Sequence, residues 1–171
     1  IRDIVEVEKL LVKHDLTASL LRRAKQYGFS DKTVACLKGI DEKMVREKRL
    51  KLGVKPVIKL IDTLAGEFDA ETNYLYVTYH GDEHDVRPVG KKSIVVLGSG
   101  PYAIGSSVEF EWSAVNTVKT LQAYGRKTIV VNSNPETVST DFDRSDRLYF
   151  DELTFERVQD IAEFEQPEGV V

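Results

Sequence analysis

The sequence has little of what would assign it quickly to a class. It holds one cysteine, Cys36, so no internal disulfide can form, which fits the cytoplasm or the mitochondrial matrix. No apolar run approaches the roughly 18–20 residues that span a bilayer. The first residues do not resemble a signal peptide, because Arg2, Asp3, Glu6 and Glu8 interrupt the apolar positions. No charge of one sign dominates: the formal net charge is −4 over 171 residues. That balance gives no reason to expect a nucleic-acid or membrane partner. Cys36 itself, on a short helix, is expected to be a small buried hydrophobe.

The length and the 42% hydrophobic content suffice for one ordinary domain or two small ones. Both ends read as cut. The chain opens inside an amphipathic pattern (Ile1, Ile4, Val5, Glu8, Leu11) and stops at Gly169-Val170-Val171, where a strand is starting. The expectation is an excised piece of a longer polypeptide.

Residues 1–55 read as a small all-helical domain. Leu16, Leu20, Leu21 and Ala24 recur at helical spacing, and Gly28 closes that helix. A short repeat comes next, in which Gly28-Phe29-Ser30-Asp31-Lys32-Thr33-Val34 matches Gly39-Ile40-Asp41-Glu42-Lys43-Met44-Val45 in physical type. In each copy the glycine ends one helix and Ser30 or Asp41 caps the next. Phe29 and Ile40 stand at the spacing that staples onto Val34 and Val45. The basic run around Arg46, Lys48, Arg49 and Lys51 invites comparison with helix-turn-helix DNA readers. Glu42 and Glu47 interrupt it and the chain is acidic, so a solvated face with basic residues near a helix C-terminus is preferred.

Residues 56–90 read as a connecting segment, apolar at first and rich in β-formers at Tyr74-Leu75-Tyr76-Val77-Thr78-Tyr79. The stretch His80-Gly81-Asp82-Glu83-His84-Asp85 offers metal-ligand types. Its glycine and charge density fit an exposed loop better, and no metal site is assigned.

Residues 91–171 carry the grammar of a parallel α/β domain. Ser93-Ile94-Val95-Val96-Leu97 is a continuous apolar run, as in a strand covered on both faces. A helix comes after it, with Val108, Trp112, Val115, Val118 and Leu121 expected on its inner side, ended by Gly125. Thr128 to Asn132 is the second strand, 146–150 a short third, 154–165 a second helix, and a further strand begins at Val170. The fold class is α/β: a small helical domain followed by an incomplete, Rossmann-like parallel βαβ domain.

Two loops after these strands are candidate sites. Gly98, Gly100 and Gly105 punctuate the first, and Gly98-x-Gly100-x-x-Ala103 satisfies the relaxed dinucleotide fingerprint. The usual companion, an acid closing the second strand, is missing, because that strand ends in Asn132-Ser133-Asn134-Pro135-Glu136. NAD binding loses most of its support. The second loop, Asn134-Pro135-Glu136-Thr137-Val138-Ser139-Thr140-Asp141, is polar and aperiodic. It succeeds a buried strand at the carboxyl edge, where open α/β sheets keep their sites. Asn134, Glu136, Thr137, Ser139, Thr140 and Asp141 are therefore candidate site residues.

At these residues the sequence resembles carbamoyl phosphate synthetases. The stretches 96–101, 104–110, 134–141 and 146–150 look like the start of the second half of the synthetase. Ile61-Asp62-Thr63-Leu64-Ala65-Gly66-Glu67-Phe68 and 72–79 look like the segment joining that half to the helical oligomerisation domain. The resemblance implies a parent ligase that makes carbamoyl phosphate from bicarbonate, ammonia (often from glutamine) and two ATP. It implies ATP and Mg²⁺ as cofactors, held mainly by an ATP-grasp domain that this sequence does not contain. Expected partners are the rest of the synthetase chain and a glutamine amidotransferase subunit or domain, with room for a homo-oligomer. The pre-ATP-grasp segment itself carries no catalytic residue. By resemblance, Ser107 and Glu109 lie near an interior tunnel along which carbamate travels. On the residues alone, Ser106 and Ser107 read as helix caps and Glu109 as part of a capping pattern, and both readings hold together. Ala103 departs from the larger side chain common among relatives. The alternatives are a stand-alone Rossmann-like nucleotide binder and an oligomerisation scaffold.

Overall fold

The computed structural model describes residues 1–70, 72–101 and 108–171, with the side chain of residue 108 left aside. The chain forms two compact units, one of Ile1–Val57 with Thr78–Asp82 and the other of Ile58–Val77 with Glu83–Val171.

The first unit holds four helices: α1 (Arg2–Lys13), α2 (Ala18–Gln26), α3 (Asp31–Lys38) and α4 (Glu42–Lys51). The caps are set by the local sequence. Thr17, Ser30 and Asp41 accept backbone N–H groups of the turns they open, from Leu20, Thr33 and Lys43. Gly39 closes α3 with a left-handed φ of 64°, which a residue bearing a Cβ rarely adopts. The repeat is thus real at its caps, but its staples are unequal. Phe29 shares a core with Val34, whereas Ile40 stays exposed while Val45 is buried.

Val7, Leu11, Leu21, Ala24, Val34 and Val45 fill the core of this unit. Charge is buried beside them. Arg49 is 0% exposed and binds Asp31 through Nε (3.1 Å) and Nη2 (2.9 Å), while its Nη1 donates to the Val54 carbonyl (3.2 Å). Lys25 Nζ reaches the other oxygen of Asp31 at 2.7 Å. Both cations face the Tyr79 ring at 5.7 Å from its centroid. The Thr78–Asp82 excursion is tied in further by Gln26, which donates to Tyr79 O (3.2 Å), and by His80 Nε2 against Gln26 O (3.0 Å). The basic run divides between two environments: Lys48 and Lys51 are exposed, as in a solvated face, whereas Arg46 and Arg49 are buried. Cys36 is exposed, against expectation, because the buried face of α3 takes Val34 and Ala35 instead.

The sheet comprises β1 (Val57–Leu60), β2 (Tyr74–Thr78), β3 (Ser93–Leu97), β4 (Lys127–Val131), β5 (Arg147–Tyr149) and β6 (Gly169–Val170), in the order β1-β2-β5-β4-β3-β6. The pairs β2–β5, β5–β4, β4–β3 and β3–β6 are parallel. The chain runs outward from β3 to β4 and β5, then returns to β6 on the other side of β3, which is the reversal of a doubly wound sheet. Residues 56–90, read from sequence as connecting, supply two of the strands.

Side chains alternate across the sheet with period two. Val95, Ile129, Val131 and Tyr149 pack with Ile161 of α6 (Phe155–Glu165), while Val96, Val130 and Leu148 pack with Ala114 and Val118 of α5 (Val108–Ala123). The two helices therefore cover opposite faces, and this accounts for the unbroken apolar runs of β3 and β4.

The inner face of α5 keeps Val118 and Leu121 from the sequence reading but not Trp112. Trp112 is 70% exposed, and the buried line runs through Glu111, Ala114 and Val118 at helical spacing. A tryptophan was the largest apolar residue available, yet the close approach of helix to sheet takes an alanine.

Candidate functional site at the carboxyl edge of the sheet

β3 and β4 run side by side in register from Ser93↔Lys127 to Leu97↔Val131, so the loops that succeed them leave from one edge. Gly98 carries the ladder one step further, its N–H bonding Val131 O at 2.8 Å. A Cβ at Gly98 would lie 2.5–2.8 Å from three atoms of the Asn132 side chain. The glycine therefore admits a neighbouring side chain of the same protein. Gly100 turns the chain with φ 72°.

Asn132 is fully buried and organises the polar loop after β4. Its Oδ1 accepts from Asn134 N (3.2 Å) and its Nδ2 donates to Ser139 Oγ (3.4 Å). Asn134 repeats the device, with Oδ1 accepting from Glu136 N at 3.0 Å. Two consecutive Asx turns thus set the backbone up to Glu136. A single 3₁₀ turn, Val138–Thr140, comes next. Thr140 Oγ1 donates to Thr137 O (2.7 Å) and accepts from Thr137 N (3.4 Å).

Other elements fasten the loop from outside. Glu111, in the first turn of α5, accepts the Ser139 N–H through Oε1. Asn73 donates to Ser145 O (2.8 Å) and Phe142 O (3.3 Å). Gln122 donates to Arg144 O at 3.0 Å. At the far end Asp146 takes Thr128 N (2.9 Å) and Lys127 Nζ (2.6 Å). Burial pushes the Asp146 carboxyl up, but these hydrogen bonds outweigh it and hold the group below its ordinary value.

The sequence candidates now sort by what they do. Thr137, Ser139 and Thr140 are buried and engaged within the loop, and Asn134 forms a turn. Glu136 and Asp141 are exposed, and Asp141 lies 3.7 Å from Arg144. Glu109 is exposed on the first turn of α5. Gly105 and Ser107, with Ala103, lie outside the described residues. Sequence reasoning missed Asn132, Glu111, Asn73 and Gln122. Only Glu111 left a readable trace, its spacing of three and seven from Ala114 and Val118.

The Thr140 hydroxyl answers the loop's own backbone and the Ser139 hydroxyl the Asn132 side chain, while the loop's one cation, Arg144, lies 3.5–3.7 Å from Asp143 and Asp141. Among the described residues no three His, Cys, Asp or Glu side chains converge on a metal position. The histidines of the 80–85 stretch have separate structural uses: His84 Nδ1 accepts the Ile58 N–H at 3.0 Å, and His80 bonds Gln26.

Residues 90–171 match the family model described as the carbamoyl phosphate synthase pre-ATP-grasp domain. Residues 1–53 match the one described as the carbamoyl-phosphate synthetase large chain, oligomerisation domain. The mitochondrial carbamoyl-phosphate synthase (ammonia) of Rattus norvegicus is 51% identical over 99% of this chain and 12% of its own length. The mitochondrial arginine-specific large chain of Neurospora crassa is 51% identical over 97% of this chain and 14% of its own. The multifunctional protein pyrABCN of Emericella nidulans is 48% identical over the whole chain and 8% of its own length. The chain therefore spans about a tenth of the length of these relatives.

Proposed function

The chain belongs to the carbamoyl-phosphate synthetase family, and we propose that it serves as a non-catalytic segment of a longer ATP-dependent ligase. That parent makes carbamoyl phosphate from bicarbonate and ammonia at the expense of two ATP, one phosphoryl group ending in the product and the other leaving as inorganic phosphate. Its ATP and Mg²⁺ are held by ATP-grasp domains elsewhere in the polypeptide, and its ammonia comes free or from a glutamine amidotransferase partner. The helical unit takes part in assembly with the rest of the synthetase. The protein works in the cytoplasm or the mitochondrial matrix. No described helix is long and apolar enough to cross a membrane.

The observation that carries the reading is the fastened polar loop. Its hydroxyls and amides hold its own shape, and it leaves carboxylates, Glu136 and Asp141, facing outward. Such an edge supplies a preformed wall whose backbone is largely bonded within the protein, suited to an unstable intermediate that must pass without reacting. We assign the 105–109 stretch, with Ser107 and Glu109, and the adjoining edge to the path that carries carbamate between two active sites.

The test is Ser107→Trp in the full-length synthetase. ATP hydrolysis continues while carbamoyl phosphate formed per ATP falls severalfold. An unchanged ratio would sink the assignment.

A further inference from the structure

Among the polar groups buried in the sheet unit, Glu111 has an environment that its own helix does not explain. Its side chain is 3% exposed. One oxygen accepts the Ser139 N–H from a loop 28 residues further along the chain, and the other, Oε2, is buried with no hydrogen-bond partner among the described residues. An ionised carboxylate is an expensive group to bury for a single hydrogen bond. Its place in the first turn of α5 offsets part of that cost through the helix dipole. What the bond secures is specific. Glu136 stands between two fixed points, the Asn134 turn that holds its own N–H and the 3₁₀ turn held at Ser139. Between them the Pro135 ring fixes its own φ, Thr137 is bonded to Thr140, and Val138 opens the 3₁₀ turn.

We infer that Glu111 is a positioning residue, a latch from α5 to the 3₁₀ turn that sets where the loop presents the Glu136 carboxylate. The importance of that carboxylate rests on the path reading above, whereas the latch itself does not. Glutamine in place of Glu111 retains an acceptor at Oε1 and the same reach. Alanine removes the acceptor, and aspartate keeps the charge but falls one methylene short.

Amide hydrogen exchange of this chain, followed residue by residue by NMR, tests the latch. In E111A the Ser139 amide exchanges about ten- to hundredfold faster, the loss expected for a hydrogen bond to a charged group. Ile129 and Val130 in β4 keep their protection, and E111Q restores most of the protection of Ser139. E111D accelerates Ser139 with β4 intact, which keeps the test decisive where the alanine variant unfolds. Unchanged exchange at Ser139 in E111A or E111D overturns the latch, as does equal acceleration in E111Q and E111A. In the full-length synthetase, product per ATP falls severalfold in E111A and recovers in E111Q. Ser139 released with product per ATP unchanged overturns the path reading and leaves the latch standing.

Discussion

The largest fully buried side chain of the helical unit is Arg49, and that of the sheet unit is Tyr149. Around Arg49 two cations share one carboxylate and one aromatic face, so the four helices close over charge. Around Tyr149 the strands close over alternating apolar layers, and charge is kept near strand ends. Glu165 illustrates the second arrangement. It takes Tyr149 Oη, Arg147 Nη1 (2.5 Å) and Val89 N (2.7 Å) at the end of α6. Burial and the neighbouring Glu165 charge push the Tyr149 hydroxyl far above its ordinary pKa, so it remains a donor at any working pH. Short helices have little apolar area to share, and directional bonds set their angles. A parallel sheet covered on both faces has more apolar area to bury and keeps its charged bonds near the ends of its strands and helices.

Breaking the charged knot should have the largest effect. Arg49→Ala leaves Asp31 with fewer donors and Val54 O without its own, at a cost of roughly 3–5 kcal/mol. In a denaturant titration followed by probes in each unit, the helical transition should move to lower denaturant while the sheet transition stays. Equal movement of both would mean that the knot is not local to the helices.

Next in size is the contact at Gly98. Alanine there drives a methyl group into Asn132, and overpacking of that kind costs about 1–3 kcal/mol. Asn132→Ser combined with Gly98→Ala should recover part of the loss, giving a measurable coupling in a double-mutant cycle. Additive effects would show that the two side chains do not compete for one space.

Acid should distinguish the ends of the sheet. Asp146 and Asp85 are both raised by burial but pulled below their ordinary value by larger combined hydrogen bonding, from Lys127 and Thr128 N in one case and Lys59 and Leu60 N in the other. The stability each contributes is present above the unfolded carboxylate value and is lost as pH falls through the depressed folded value. Asp151 is shifted the other way, chiefly by burial, and offsets part of that loss. Asp146→Asn should therefore be less stable than the parent at neutral pH and lose less on acidification below about pH 4. A parallel pair of stability–pH curves would refute this.

The smallest effect expected is at Trp112. With its ring largely in solvent, Trp112→Ser should change the stability of this chain by no more than about 0.5 kcal/mol. A loss of several kcal/mol would restore the apolar inner face drawn from the sequence.

Much of the framework is legible in the sequence. The strand–helix–strand order, the caps at Ser30 and Asp41, and the glycine stops at Gly39 and Gly125 all appear where local pattern puts them. The polar loop is located by its composition, but the roles within it are not. Thr137, Ser139 and Thr140 look as available as Glu136, because burial of a hydroxyl by its own loop has no sequence signature. Trp112 misleads for the opposite reason: hydrophobicity ranks residues by size, whereas a helix lying close on a sheet selects a small one.

The amino-acid sequence by itself determined what is settled within a turn or two of chain: periodicity, capping, chain reversal and the family to which these motifs belong. Those features depend on residues three or four apart, whose geometry the backbone imposes directly. Tertiary structure alone decided the pairings of Asp31 with Arg49, Gln26 with Tyr79 and Glu111 with Ser139, which are 18, 53 and 28 residues apart. Each of these buries a polar group that must find a partner. Which partner it finds depends on the elements the apolar layers have already brought together.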